Sequence, residues 1–141
     1  MLYKKSLRSS LAEITFLKKM YYFFKKNQMT SSSRREANLF LRRECKNTLG
    51  HVIHVGSKND YDKMGMYYRW YFKKCTSYKT LDIEGETDFK QDITNMRELR
   101  KEEFDAVLCP WVLEHIKSID KAVDEIQRIL KPGGFFFFPF L

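Results

Sequence analysis

Gly56 follows the apolar run HVIHV, Asp82 lies at the end of YKTLDI, and Asp92 follows FKQ, so a turn residue and two acids stand where short hydrophobic segments stop. An ionised carboxylate at the end of a buried strand offers two acceptor oxygens, which suits the paired hydroxyls of a ribose. Asp82 is the candidate for that role, with a solvated acid or a helix cap as the plainer reading. Glu114 and His115, just beyond FDAVLC, are a carboxylate and an imidazole that could take a proton from an acceptor, or else cap a short helix and face solvent. Cys109 reads as a small buried residue at a strand end rather than as a nucleophile. Asp60 and Asp62 form a DYD pair of the kind that can hold a metal, but a two-acid pattern arises easily by chance.

The chain of 141 residues is about one domain in size. Its net charge of +8 is unevenly placed: residues 1–50 carry 12 Lys/Arg against 3 Asp/Glu, whereas residues 51–141 carry 14 against 15. The basic character therefore belongs to the N-terminal third. Cys45, Cys75 and Cys109 are far apart and show no CxxC or Cys/His ligand spacing, which points away from a disulfide framework or a zinc site and fits a reducing, cytoplasmic setting. The stretch ITFLKKMYYFF is interrupted by Lys18 and Lys19 and lacks a small-residue cleavage site, so it reads neither as a signal peptide nor as a membrane span.

Elements must bring those strand ends together. From residue 51 onward, the runs HVIHV, YKTLDI, FDAVLC and FFFFPF alternate with helical stretches, the order of an α/β doubly wound, mostly parallel sheet covered on both faces. Residues 61–74 are expected to form the first crossover helix. A later helix carries Ile119, Ala122, Val123, Ile126, Ile129 and Leu130 on one face and is expected to stop at KPGG. Residues 135–138 read as a strand buried on both faces. Ahead of this domain, residues 1–49 are expected to form a basic helical segment. Leu7, Leu11, Ile14, Leu17, Tyr21 and Phe24 recur at helical spacing, with Lys18, Lys19, Lys25 and Lys26 on another side. Such a helix packs on the core or touches a membrane surface; no aromatic and basic residues interleave as in an RNA-binding motif, which argues against nucleic acid. MTSSS reads as a linker, and Ser33 with Glu36 as a capping box opening a helix over residues 34 to about 45.

The segments VIHVGSKND, YKTLDIE, FKQDITNM, FDAVLCPWVLEHI and AVDEIQRILKPGGFFFF follow one another with the order and spacing of class I S-adenosylmethionine-dependent methyltransferases. They resemble most the type 11 subgroup, over about residues 50–141, most specifically in the last two segments. The resemblance implies a Rossmann-like methyltransferase domain, with S-adenosyl-L-methionine as cofactor and a small-molecule or glycan-like acceptor. By the same resemblance, Gly56 and Ser57 would pass the methionine part, Asp82 the ribose and Asp92 the adenine amino group, with Ile83 and Ile93 flanking the adenine.

The first loop departs from that family. His54 stands where an acid is usual, and Lys58 and Asp60 stand where second and third glycines are usual. Pyrophosphate would need bare backbone there, so a dinucleotide enzyme is disfavoured, whereas a methyl donor without phosphate tolerates polar side chains. Restoring an acid at position 54 is expected to tighten cofactor binding, and a binding module that no longer catalyses is the alternative reading. The resemblance also implies seven strands, of which five are legible. Residues 135–138 would then form an open apolar edge that invites self-association, or the chain would lack roughly 60 to 100 further residues of a typical α/β domain.

Overall fold

The computed structural model describes residues 2–6 and 31–139. The basic helix expected over residues 7–24 lies outside the described residues. Six strands form one sheet: β1 (Leu2–Ser6), β2 (His51–Val55), β3 (Ser77–Asp82), β4 (Phe89–Lys90), β5 (Phe104–Leu108) and β6 (Leu130–Pro139), in the spatial order β1-β6-β5-β2-β3-β4. β2 to β6 are mutually parallel, and β1 alone runs antiparallel. Among the described residues the α-helices are α1 (Ser31–Cys45) and α2 (Ile119–Ile129).

Alternation along the strands sends successive side chains to opposite faces, and both faces are apolar. Ile53, Val55, Leu81, Val107, Phe136 and Phe138 pack with Ala122, Val123, Ile126 and Ile129 of α2. Val52, Ala106, Leu108 and Phe137 pack with Leu41 and Cys45 of α1 and with Tyr68, Tyr71 and Phe72. A sheet covered on both sides explains why its strands read as apolar runs rather than alternating ones. His54 lies on the α1 face, between Val52 and the turn, and is the one imidazole that the core encloses, 1 % exposed.

Four expectations need correction. Residues 61–74 are not a helix: Tyr61 and Tyr67 form an isolated antiparallel bridge, and only Tyr68–Tyr71 make a single 3-10 turn. The Asp62 carboxylate accepts the backbone N–H groups of Met64 and Met66 at 2.7 and 2.9 Å, and Gly65 takes φ +77°, so side-chain bonding and a left-handed residue replace the helical ladder. α1 begins at Ser31, so Ser33 lies within its first turn rather than ahead of it. α2 stops at Ile129, and Leu130 already pairs with Phe104, so KPGG belongs to the strand. The register shifts before Ala106 meets Phe135, because Pro132 cannot donate to the ladder and Gly133 takes φ +79°.

The fourth correction concerns the edge. β6 does not face solvent along its outer side: β1 pairs with it from Leu2 opposite Pro139 to Ser6 opposite Phe135. Part of the basic N-terminal segment thus belongs to the sheet itself. It covers the edge that was expected to lie open along residues 135–138.

Candidate functional site

Parallel strands end together, so the loops after β2, β3, β4 and β5 converge at one end of the sheet, where open α/β folds bind ligands. At Gly56 the backbone turns with φ +74°, and its N–H and that of Ser57 both donate to the Leu81 carbonyl, at 2.7 and 3.2 Å. A Cβ at Gly56 would collide with Val112, so the loop after β5 closes directly over this turn. Lys58 and Asp60 adopt φ +46° and +62°. The backbone therefore keeps the left-handed conformations that glycines adopt freely, at a cost of roughly 1 kcal/mol for each side chain carried.

Asp82, the last residue of β3, reaches back to this loop. Its Oδ2 accepts the Lys58 N–H at 2.7 Å and its Oδ1 the Glu84 N–H at 3.0 Å. A carboxylate has about four lone-pair sites, so each oxygen retains capacity for a hydroxyl donor. Ile83 follows with 66 % of its surface exposed, an apolar plane beside the acid. Asp92 accepts both the N–H and the hydroxyl of Thr94 on Oδ1, each at 2.7 Å, and these bonds, the backbone one foremost, hold its carboxyl below the usual range. Ile93 is packed in the core beside Met96 and Leu99, 5 % exposed, so the structure presents Ile83 but not Ile93 at the surface of the cleft.

His54 and Asp60 form the electrostatic centre of the site. His54 Nδ1 lies 2.7 Å from Asp60 Oδ1, which also accepts the Tyr78 hydroxyl at 2.7 Å, while Asp60 Oδ2 accepts Arg69 Nε at 3.0 Å. Burial lowers the imidazole pKa against the opposing pull of Asp60. For Asp60, burial alone would raise the carboxyl, but the bonds from His54, Tyr78 and Arg69 outweigh it and hold the group ionised. A neutral imidazole facing a carboxylate donates from Nδ1, leaving Nε2 as a bare acceptor.

Both acids of the DYD pair are engaged by the protein's own donors. Asp60 is engaged as above, and Asp62 is enclosed by the Tyr71 hydroxyl, Arg42 at 3.1 Å and the Met64 and Met66 N–H groups. Among the described residues no group of three His, Cys, Asp or Glu could hold a metal.

After β5 the chain carries Cys109, Pro110 and Trp111 into a 3-10 turn, Leu113–His115. Burial pushes the Cys109 thiol far up, which leaves it protonated and inert. Glu114 lies 3.5 Å from His115 Nε2 and 3.9 Å from the Arg34 guanidinium of α1, so the two candidate bases are adjacent and are tethered to the N-terminal helix. Arg34 also stands over the Trp111 ring at 5.4 Å.

Sequence reasoning missed Asn38, Tyr68 and Trp111. Trp111 Nε1 donates to the Tyr68 hydroxyl at 3.2 Å, and that hydroxyl donates to Asn38 Oδ1 at 3.2 Å. One signal was available: Asn38 falls on the helical face of Ala37, Leu41 and Cys45, and an amide on a buried stripe needs a reason.

Comparison with known proteins accords with this geometry. A family model described as Methyltransferase domain matches residues 66–138. The thiol S-methyltransferase TMT1B of Rattus norvegicus is 46% identical over 44 residues, which are 31% of this chain and 18% of that protein. Its Mus musculus counterpart is 43% identical over the same length. The match thus spans less than a fifth of these curated relatives. A crystal structure of a Methanococcus maripaludis protein, provisionally designated an S-adenosyl-L-methionine-dependent methyltransferase, superposes with a TM-score of 0.55 at 18% identity over 94% of this chain and 66% of that one. That likeness is one of fold.

Proposed function

This chain belongs to the methyltransferase-domain family, for which S-adenosylmethionine is the implied cofactor, and we propose that it binds that cofactor across the carboxyl ends of β2 and β3 and transfers its methyl group to a small acceptor. The observation that carries the reading is Asp82, a strand-end carboxylate tied to the Gly56 loop through Lys58 N–H and still able to accept two hydroxyls. The residues fit the cofactor's chemistry: Asp82 for the ribose, Ile83 for one face of the adenine, Asp92 for its amino group, and Gly56 with the buried Ser57 hydroxyl for the methionine part.

When bound, the cofactor supplies an activated methyl group on a sulfonium, and transfer is an in-line displacement governed by approach and alignment. The protein's work is to orient the donor, exclude water and, for a protonated acceptor, remove a proton. Glu114 and His115, in the loop after β5, are the candidates for that last task, with the Arg34 guanidinium 3.9 Å from the Glu114 carboxylate. Small thiols are the first acceptors to test, since the relatives that share the 44-residue match are named for thiol S-methylation. A reducing, cytoplasmic setting belongs to the same reading, in keeping with three cysteines that form no disulfide. Among the described residues no helix is long and apolar enough to cross a membrane.

A second reading rests on Val112. Its methyl groups lie where a Cβ at Gly56 would fall, so the loop after β5 sits close over the turn, an arrangement that a chain keeping the fold without turnover could also hold. Incubation with methyl-labelled S-adenosylmethionine and a panel of small thiols separates the readings. Labelled thioether is expected; cofactor binding without transfer to any thiol, amine or hydroxyl acceptor favours the second.

A further inference from the structure

The aromatic residues that follow the Gly56 loop divide between two environments. Tyr68, Tyr71 and Phe72 are buried and pack with Leu41 and Cys45 of α1. Tyr61 and Trp70 are 50 % and 57 % exposed, and Met64 is 42 % exposed. Tyr67 is half-buried between the two outer rings, its centroid 4.1 Å from that of Tyr61 and 5.1 Å from that of Trp70. Three of the six large hydrophobic side chains that are exposed among the described residues thus fall within residues 61–70. Single exposed apolar residues are ordinary, whereas a cluster of them marks a contact surface.

The fold holds this cluster outward. The Asp62 N–H donates to the Met66 carbonyl at 2.8 Å and the Gly65 N–H to the Asp62 carbonyl at 3.2 Å, closing a turn whose tip, Lys63 to Gly65, is exposed. The buried Asp62 carboxylate pins the turn from within, through the Met64 and Met66 N–H groups and Arg42. Charge around the rings is of one sign. Residues 61–74 carry Lys63, Arg69, Lys73 and Lys74, all exposed, and their one acid, Asp62, is 6 % exposed. Arg69 is engaged by Asp60, but no carboxylate among the described residues pairs with Lys63, Lys73 or Lys74.

The details of the surface select its partner. Nucleic-acid bases stack on open ring faces, but Tyr61 and Tyr67 lie against each other with their hydroxyls hydrogen-bonded, and Tyr67 and Trp70 meet edge to face. Protein interfaces favour Arg and are poor in Lys, whereas the unpaired cations here are all lysines. Exposed Trp and Tyr beside flexible ammonium groups suit the boundary of a negatively charged bilayer, where the rings sit among headgroups and the lysines meet anionic lipid. We propose that residues 61–74 form a peripheral docking surface for an anionic lipid bilayer, with Tyr61, Met64 and Trp70 entering the headgroup region and Lys63, Lys73 and Lys74 supplying the attraction. The basic N-terminal third could bind the same lipids, and substitutions confined to residues 61–74 tell the two apart.

Sedimentation of the full chain with vesicles tests this. Vesicles of three parts phosphatidylcholine to one part phosphatidylserine are expected to carry the protein down at low salt, and added salt to release it, while vesicles of phosphatidylcholine alone leave it in solution. Lys63→Gln, Lys73→Gln and Lys74→Gln combined are expected to weaken partitioning about a hundredfold, at about fivefold for each cation near the surface. Trp70→Ser is expected to weaken it about fivefold through lost apolar contact. In wild type the same vesicles are expected to shift tryptophan emission to the blue and to shield it from iodide, a change that Trp70→Phe abolishes. This readout needs only a conservative variant, so it decides the matter even where the triple substitution impairs folding. No sedimentation with anionic vesicles, an emission that they do not move, or sedimentation that the triple variant leaves unchanged would overturn the proposal. The last result would assign the lipid contact to residues 1–50, and capture of single-stranded RNA in place of vesicles would give the surface to nucleic acid instead.

Discussion

His54 on β2 and Asp60 in the loop beyond it are joined at 2.7 Å, both all but excluded from solvent, so that the acid usual on the strand has in effect moved onto the loop and left an imidazole behind. The pair reverses the expectation that an acid at position 54 would help. His54→Glu would set two carboxylates together in the core, and a buried charge left without compensation costs roughly 3 kcal/mol or more. The variant is expected to melt well below wild type and to bind S-adenosylhomocysteine more weakly; an unchanged melting temperature would contradict the packing described.

Asp60→Gly tests the same pair from the other side. Glycine removes the left-handed penalty at φ +62°, about 1 kcal/mol, but strands the partners of Asp60, which costs roughly 3 kcal/mol. The loss exceeds the gain, so denaturant titration is expected to show net destabilisation of about 2 kcal/mol. A stabilised variant would mean that the carboxylate contributes little.

Stability should fall with acid in two stages. His54 has a depressed folded pKa, so the stability it confers is complete above its ordinary value of about 6.5 and is lost as pH falls through the folded one. Asp60 and Asp62 are also depressed, and their contribution is lost below about pH 4. Melting temperature is expected to decline from about pH 6.5 downward and more steeply below about pH 4, with the first decline absent in His54→Asn. A wild-type profile flat between pH 7 and 5 would contradict a buried neutral imidazole.

Pairing of β1 with β6 predicts the behaviour of a shortened chain. Removing residues 1–6 uncovers a strand whose Phe136 and Phe137 are fully buried, and an unpaired apolar edge associates. Light scattering of the deletion protein is expected to show concentration-dependent association and a lowered melting temperature; a monomer as stable as wild type would mean that β1 adds nothing to the sheet.

What the sequence disclosed follows from where its signals are local. The strands were legible because runs such as FDAVLC and FFFF are buried on both faces, and α2 because its apolar stripe repeats cleanly. The position of Asp82 at a strand end was legible because the end of an apolar run fixes an acid's place without knowledge of any partner. The helix read over residues 61–74 failed because Asp62 bonds to backbone two and four residues on, a competition invisible to periodicity. The partner of β6 failed because Leu2 and Pro139 are neighbours only in space. The His54–Asp60 bond failed for a related reason: each residue alone looked like a defect in a glycine loop, and only the left-handed turn between them makes a pair.

The most direct test of the account is calorimetric titration of the 141-residue protein and its Asp82→Ala variant with S-adenosylhomocysteine, alongside NAD as control. Wild type is expected to bind one equivalent with a rise in melting temperature and to ignore NAD. The variant should lose roughly 1.5 to 3 kcal/mol of binding free energy with each charge-assisted bond, together with a modest loosening of the loop that Lys58 N–H ties to Asp82. Absence of heat and of any melting shift with wild type, or equal affinity in the two proteins, would contradict the placement of the cofactor at the ends of β2 and β3.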